Sequence, residues 1–318
     1  MAQETYIEKV AIVGAAGHIG SHFTRELLKT GKHTVTAITR AGSTSSIPEG
    51  VRRVEVNYDD QECLVNALKG QQFLIITLSV TSPADLHSKI VKAASDAEIP
   101  YIMPNVYSTD LQNKSVSEDV MYGAAALERC KEVERQGNTA YIAMNCGFWY
   151  NWSLLLGESF FGFDLEKKSA TFFDDGKNRI TSSSESQCGR AVAALLSLPE
   201  RKVAEWKNKF FYVGSFTCTQ RDILDSIHRV TGTTDADWTI SYESCQKRYQ
   251  DGLAEMQNGV NSGFAKALYA VSFSKDAGGD FESTRGLAND AIGLPKEDLD
   301  EVTKKALTTA VPAVPKVV

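Results

Sequence analysis

Three glycines at a spacing of three, Gly14, Gly17 and Gly20, lie between two regular patterns near the start of the chain. Apolar, β-prone residues precede the first glycine, and apolar residues recur at helical spacing after the last one, until Gly31. The segment therefore predicts a strand, a tight turn and a helix. Such a turn directs unpaired N–H groups and the positive end of a helix dipole toward one point, and glycine leaves room there for a phosphate. The same pattern also suits a helix that only packs closely on a strand.

A second β-prone run starts at His33 and ends at Arg40, about twenty residues after Gly20. In a dinucleotide-binding fold the residue at this distance contacts the ribose of the adenosine. An acidic residue there hydrogen-bonds the 2′-hydroxyl of NAD, whereas arginine offers a forked cation to the 2′-phosphate of NADP. We therefore expect NADP(H) as the cofactor. The alternative is a solvated charge at the end of a strand.

Strand-like and helix-like segments continue to alternate up to about residue 150, which predicts an α/β fold with a doubly wound parallel sheet. One predicted helix starts with Ser82 as its cap and Pro83 at its first position, and a longer one runs from 117 to 137. Beyond this point the alternation fades. We expect a Rossmann domain over residues 1–150 and a smaller α+β substrate-binding region over 151–318, which partly returns strands to the sheet.

The composition is typical of a soluble globular protein, with 42% hydrophobic residues and a net charge of −6, and offers no basic surface for nucleic acid. The segment 136–157 contains no charged residue, but its asparagines and glycines favour a strand, a loop and a helix over a membrane span. Charges near the N-terminus argue against a signal peptide, and six scattered cysteines indicate reduced thiols. A cytoplasmic location is expected, and the sequence does not indicate an oligomeric state.

An aromatic run follows the predicted strand that ends near Asn145. Because ligands bind at the carboxyl ends of parallel strands, its side chains are candidates for the wall of a pocket for a flat aromatic substrate. Plain hydrophobic packing explains one or two of them equally well. The four candidates are Phe148, Trp149, Tyr150 and Trp152.

With the glycine turn and Arg40, the stretches "YIMPNVYSTD" and "VERQGNTAYIAMNCGF" resemble the NmrA-like and isoflavone-reductase-like atypical short-chain dehydrogenases over residues 6–215. The resemblance implies a Rossmann domain, NADP(H) and reduction of a C=O or conjugated C=C bond in an aromatic or polyketide-derived small molecule. Other members of this group are regulatory proteins that bind a dinucleotide without turnover. A non-redox isomerase or lyase on the same fold is a third possibility.

The resemblance also assigns cofactor-binding positions, which follow the strand ends in order. The phosphate loop comprises Gly14, Ala16, Gly17, His18 and Ile19; Arg40 contacts the 2′-phosphate; Asn57 and Tyr58 border the adenine; Leu78 and Ser79 line the cofactor; Pro104 and Asn105 approach the nicotinamide. For His18 we expect the backbone N–H to matter more than the imidazole.

The catalytic positions depart from the family pattern. Reductases of this group usually carry a lysine where this chain has Ala126, so Tyr122 stands in a Tyr-x-x-x-Ala sequence. Alanine can neither lower the pKa of a tyrosine nor hold a ribose. The remaining candidates for a catalytic role are Tyr122 itself, Tyr107 and Lys131. His18 and His22 have metal-ligand spacing but no acidic third ligand beside them in the sequence, so no metal is expected.

Overall fold

The structure, a computed structural model, describes residues 5–107, 109–119 and 122–309. The strands are β1 (Lys9–Val13), β2 (Thr34–Arg40), β3 (Arg52–Val56), β4 (Phe73–Ile76), β5 (Tyr101–Met103), β6 (Ala140–Asn145), β7 (Phe148–Trp149), β8 (Phe163–Asp164), β9 (Ser169–Phe173), β10 (Ile180–Ser183), β11 (Lys209–Tyr212), β12 (Phe216–Cys218) and β13 (Thr239–Glu243). The helices are α1 (His18–Lys29), α2 (Gln61–Leu68), α3 (Leu86–Asp96), α4 (Lys114–Ser117), α5 (Gly123–Arg135), α6 (Tyr150–Leu155), α7 (Glu185–Leu196), α8 (Glu200–Val203), α9 (Gln220–Thr231), α10 (Cys245–Gln257), α11 (Ser262–Ser272), α12 (Phe281–Thr284) and α13 (Leu299–Leu307).

A seven-stranded parallel sheet organises the molecule, in the order β11-β6-β5-β4-β1-β2-β3. The direction of strand addition reverses between β1 and β4, and in open α/β sheets the crevice at such a reversal is the place where ligands bind. The predicted α/β class with a doubly wound sheet is confirmed.

Helices cover both faces of this sheet, as the unbroken apolar character of β1 requires. Val10 and Ile12 belong to the same buried cluster as Phe23 of α1 and the inner face of α7. Ala11 points to the other face, where Leu64 of α2 and residues of α3 complete a second cluster. The glycine turn after β1 is therefore fixed from both sides of the sheet.

The second half of the chain contributes to the main sheet and also builds its own core. Strand β11 pairs in parallel with β6, with Phe211 opposite Met144, and α7 packs against α1. Two small sheets, β12-β10-β7 and β13-β9-β8, surround a third buried cluster rich in phenylalanine. This region approaches the carboxyl ends of the main sheet through β7, α6 and α7.

Two predicted helix starts were wrong. Helix α3 begins at Leu86, after Asp85, rather than at Pro83. The carbonyl of Pro83 accepts a hydrogen bond from the Leu86 N–H at 3.1 Å, so Ser82 and Pro83 lie in a turn that precedes the helix.

The long helix predicted from residue 117 begins later, as α5 at Gly123; α4 ends at Ser117, and residues 120 and 121 of the predicted helix lie outside the described residues. Gly123 begins α5 so close to α4 that an added Cβ atom would lie 1.6 Å from the carbonyl oxygen of Val116. This contact between the two backbones ends the helical path before Gly123. Tyr122 is consequently the N-cap of α5 and does not lie within a helix.

Candidate functional site

The three glycines of the turn have different surroundings. A Cβ atom on Gly14 would lie 2.2 Å from the Thr77 carbonyl oxygen, and one on Gly20 would lie 2.2 Å from the Gly14 carbonyl oxygen. Gly14 also has φ +82°, which a side chain strongly disfavours. Gly17 is exposed and would meet only the Gly14 carbonyl oxygen, at 3.1 Å. The outer glycines thus allow the turn and helix to pack, and the middle one leaves the space above it open.

Helix α1 presents free N–H groups at this open space. Its first intrahelical bond runs from Ser21 N to Gly17 O at 2.9 Å, so the N–H groups of His18, Ile19 and Gly20 precede it. The first turn has no acidic residue, and no side chain caps it. Ala16 is half-buried before the helix, and Ile19 is buried beneath it. Free N–H groups at the positive end of a helix suit a pyrophosphate, so the residues present fit a dinucleotide.

Arg40 is the last residue of β2 and is exposed. Within the described residues, its side chain forms no hydrogen bond or ion pair. Nearby, Arg53 donates to the Ser43 carbonyl oxygen at 2.7 Å and so holds the loop after β2. Asn57 is exposed beyond β3, and Tyr58 donates its hydroxyl to Ile38 O at 3.2 Å. Burial raises the pKa of Tyr58 to about 12, and the charge of the nearby Arg40 acts in the opposite direction.

The loops after β4 and β5 are tied together by one side chain. Asn105 accepts a hydrogen bond from Leu78 N at 3.2 Å and donates to Leu78 O at 3.0 Å. Arg129 of α5 donates to Asn105 O at 2.9 Å. Pro104 is buried beside this contact, and Ser79 is exposed beyond it. These two hydrogen bonds between the Asn105 side chain and the Leu78 backbone hold the loops after β4 and β5 together in the middle of the cleft.

The aromatic run divides into two pairs. Phe148 stacks on Tyr269 with ring centroids 3.8 Å apart, and Tyr150 is fully buried with its hydroxyl 2.7 Å from Thr303 Oγ1. Trp149 and Trp152 remain half-buried. The structure therefore places Phe148 and Tyr150 in the core of the second half, and only the two tryptophans at the sheet edge.

His18 brings the glycine turn and the two tryptophans together. Its ring lies 5.6 Å from that of Trp149 and 5.8 Å from that of Trp152, between centroids. Its Nε2 atom is 3.1 Å from Glu185 Oε1. The His18 side chain is 38% exposed, whereas that of Glu185 is 7% exposed. Glu185 was missed in the sequence, because an acidic residue at the start of a helix has an ordinary explanation in the helix dipole.

Counting only partners among the described residues, two polar atoms beside this cluster are buried and unpaired, Trp149 Nε1 and Asn151 Oδ1. An unpaired buried donor or acceptor costs about 1–3 kcal/mol, so such atoms are uncommon in folded proteins. A donor and an acceptor next to the aromatic rings are groups that a polar aromatic ligand can satisfy.

The three catalytic candidates differ in accessibility. Tyr107 is buried and donates its hydroxyl to Ile76 O at 2.6 Å, and burial raises its pKa well above the usual value. Lys131 is exposed on α5, away from the buried face that contains Ala126 and Cys130. Tyr122 is half-buried, and its N–H donates to Asp119 Oδ1 at 3.2 Å. Of the three, Tyr122 remains the predicted proton donor.

Among the residues that the structure describes, no three His, Cys, Asp or Glu side chains are grouped closely enough to hold a metal ion. Likewise, none of the described helices combines the length and the apolar character that crossing a membrane requires. All six cysteines are free.

Comparisons with known proteins agree with this geometry. The model of the NmrA-like family matches residues 7–262. The oxidoreductase aprR of Aspergillus flavus is 27% identical over 307 residues, which covers 94% of this chain and 98% of aprR. An isoflavone reductase structure has a TM-score of 0.74 at 20% identity, over 95% of this chain and 99% of its own. AtPrR2 with NADP+ and (+)pinoresinol has a TM-score of 0.72 at 17% identity, over 96% and 100%. At these identities the structural likeness concerns the fold.

Proposed function

Because the chain belongs to the NmrA-like family, we propose that it is an NADPH-dependent oxidoreductase. We propose further that it reduces a C=O or conjugated C=C bond of an aromatic or polyketide-derived small molecule. The relative aprR is named an oxidoreductase, and the similar fold of AtPrR2 was solved with NADP+ and (+)pinoresinol.

One observation carries the proposal. It is the phosphate cradle at the start of α1, formed by Gly17 and the free N–H groups of His18 and Ile19. Gly14 and Gly20 are packed too tightly for a side chain, while Gly17 is exposed under open space. The N–H groups of His18 and Ile19 precede the first helical hydrogen bond. This division of roles among three glycines is the one that pyrophosphate binding requires. NADPH, when bound, supplies the hydride.

Arg40 supports the choice of NADPH over NADH. The guanidinium lies at the end of β2 without a protein partner among the described residues, and an uncompensated fork of donors suits the 2′-phosphate. Asn57 and Tyr58 follow the neighbouring strand and border the adenine in this arrangement.

The aromatic substrate class rests on the surroundings of His18. Trp149 and Trp152 offer two ring faces within 6 Å of the imidazole, at the end of the cleft opposite Arg40 along the sheet edge. Flat aromatic molecules stack on such rings, and Trp149 Nε1 offers a donor for a polar substituent. Phe160 packs against the ring of Trp152, with centroids 5.3 Å apart, whereas Phe148 and Tyr150 lie in the core.

Spectrophotometry tests the proposed reaction directly. Purified protein is mixed with NADPH and a panel of quinones, aromatic ketones and conjugated aromatic enones, and the absorbance of the reduced cofactor is followed. We expect oxidation of NADPH that depends on one class of substrate and is slower with NADH. A protein that fails to bind NADPH in a parallel fluorescence titration contradicts the proposal at its first step.

A dinucleotide sensor is the second candidate, and Ala126 is the observation that favours it. This residue stands where reductases of the group carry lysine, and it is 1% exposed in a buried cluster with Val106 and Cys130. Position 126 therefore does not supply the usual cation beside the nicotinamide ribose. Tight NADPH binding without oxidation of any compound in the panel supports the sensor.

A further inference from the structure

We propose that His18 is the proton donor of the reduction and that the buried carboxylate of Glu185 positions its ring. This inference rests on the proposed function. Phosphate binding requires only the backbone N–H of His18. The inference gives its side chain a chemical role.

The contact between α1 and α7 fixes the pair. His18 and Glu185 are the first residues of these two helices, and Nε2 lies 3.1 Å from Oε1. Further along α7, a Cβ atom on Gly189 would lie 2.6 Å from the His22 carbonyl oxygen. The helices therefore approach each other at backbone distance, and the carboxylate cannot move far from the imidazole.

The pair lies between the cradle and the aromatic rings. His18 belongs to the turn that would hold the pyrophosphate, and its ring contacts Trp149 and Trp152. Its Nε2 is bound to Glu185, and Nδ1 has no hydrogen-bond partner within the residues that the structure describes. With 38% of the side chain exposed, the ring can recover a proton from solvent.

Among the charged groups around the His18 ring, Glu185 is the one that contacts it directly in the described residues. Glu185 is 7% exposed on α7. On α1, His22 has its pKa lowered to about 4, first by burial and then by Arg25, so it is neutral near pH 7. Lys305 of α13 acts on His22 in the same direction. From α11, Tyr269 gives its hydroxyl contact to Ser153, at 2.5 Å, and burial keeps its pKa above the usual range.

The proton balance of the step is simple. A hydride adds to the electrophilic carbon of the substrate, and the electron pair of the C=O π bond moves to oxygen. That oxygen takes the proton from Nδ1 of the imidazolium, which leaves a neutral ring with its Nε2–H still bonded to Glu185. For a conjugated C=C bond, the carbon α to the carbonyl takes the proton instead. Tyr122 is the competing donor.

Four variants test this assignment: His18→Gln, Glu185→Gln, Tyr122→Phe and, as the matched control on the same helix, His22→Gln. We expect His18→Gln to bind NADPH within about threefold of the parent, because its backbone N–H is kept, and to lose roughly 100-fold or more in kcat. His22→Gln should change kcat less than about threefold, and Tyr122→Phe should lower kcat less than His18→Gln does. NADPH affinity is measured by fluorescence and turnover by absorbance, for each variant.

The positioning role of Glu185 has a readout that a merely structural carboxylate would not change. Glu185→Gln should lower kcat more than it changes NADPH affinity or the melting temperature. A further variant, Glu185→Asp, should recover part of the loss, because its carboxylate still accepts a hydrogen bond from the imidazole. Equal kcat in Glu185→Gln and the parent overturns the positioning role.

Different outcomes contradict the proposed function and the role of His18. If the parent binds NADPH but reduces nothing in the panel, the proposed function fails and the role of His18 fails with it. If the parent is active and His18→Gln keeps more than about one third of kcat, the role of His18 alone fails. A loss of 100-fold in Tyr122→Phe instead assigns the donor to Tyr122.

Discussion

Substituting alanine at two glycines of the same turn should separate cofactor binding from folding. Gly17 has φ −70° and ψ 174°, which any residue adopts, and an added Cβ atom meets one carbonyl oxygen at 3.1 Å. Gly17→Ala therefore costs about 0.5–1 kcal/mol in unfolding free energy, the difference expected at an N-cap. The new methyl group stands where the phosphate must approach, so we expect the loss of one or two N–H bonds to a charged group.

The same substitution at Gly20 acts on the fold. Its Cβ atom would lie 2.2 Å from the Gly14 carbonyl oxygen and 2.7 Å from Thr77 Oγ1. Overpacking costs about 1–3 kcal/mol, and the gain in helix propensity returns about 1 kcal/mol of it at most. A net loss of about 1–2 kcal/mol lowers the melting temperature by roughly 1.5–3 °C in a chain of this size.

Calorimetry and fluorescence titration measure the two effects side by side. For Gly17→Ala, a loss of about 1.5–3 kcal/mol in binding corresponds to an NADPH Kd roughly 10- to 150-fold higher, with a melting temperature close to that of the parent. For Gly20→Ala, the melting temperature should fall further than it does for Gly17→Ala. If Gly17→Ala binds NADPH like the parent, the phosphate does not lie over this turn and the reasoning from the cradle is refuted.

Three further predictions concern other parts of the chain. Arg40→Ala should weaken NADPH binding roughly 10- to 100-fold but leave NADH binding nearly unchanged in calorimetric titration, because only NADPH carries the 2′-phosphate; equal losses for both would remove Arg40 from the site. Asp110→Ala should lower the unfolding free energy in urea by about 3 kcal/mol, the low end for a buried pair, since the Asp110 side chain is 1% exposed and its partner Arg285 is 30% exposed; a change below about 1 kcal/mol would contradict this. Burial raises the pKa of Glu158, but the hydrogen bond and charge of Arg248 outweigh it and hold the pKa below the usual value. This contribution to stability is present above about pH 4.3 and is lost as the pH falls through the lower folded-state pKa. Thermal melts between about pH 6 and 3 should show that Arg248→Met reduces this acid dependence.

The main sheet could be predicted because local sequence determines most of it. The residues of β1 are apolar without interruption, and the glycines after it permit only a tight turn before α1. Each strand and helix of the first half has a pattern that neighbouring residues complete. The topology follows from right-handed crossovers between such units.

Helix bounds around Tyr122 were harder to predict, because a contact between two segments decides them. The sequence around Gly123 has ordinary helix-forming composition, but this glycine touches the backbone of Val116 and begins a new helix. Helix α11 was missed for a related reason. Its Gly263 packs against Gly252 of α10 so closely that a Cβ atom would lie 2.6 Å from the Gly252 carbonyl oxygen. In the sequence, small residues at helical spacing were the pattern that could have indicated α11.

The aromatic run shows why counting residue types does not define a pocket. Its four rings were indistinguishable in sequence, yet Tyr150 bonds to Thr303, which lies 153 residues further along the chain. That distant partner draws Tyr150 into the core. Trp149 and Trp152 remain at the sheet edge because His18 occupies the space between them and the glycine turn.

The departure from the family pattern at Ala126 has a different meaning once the turn before α5 is known. Tyr122 is the N-cap of α5, and its carbonyl oxygen accepts a hydrogen bond from the Ala126 N–H at 3.0 Å. A lysine at position 126 would have to enter the buried cluster against which Tyr122 also packs. The ionisable pair closest to the cradle is instead His18 and Glu185, 167 residues apart in sequence and joined by the packing of α1 on α7. A proton donor supplied by that interface makes the missing lysine compatible with turnover.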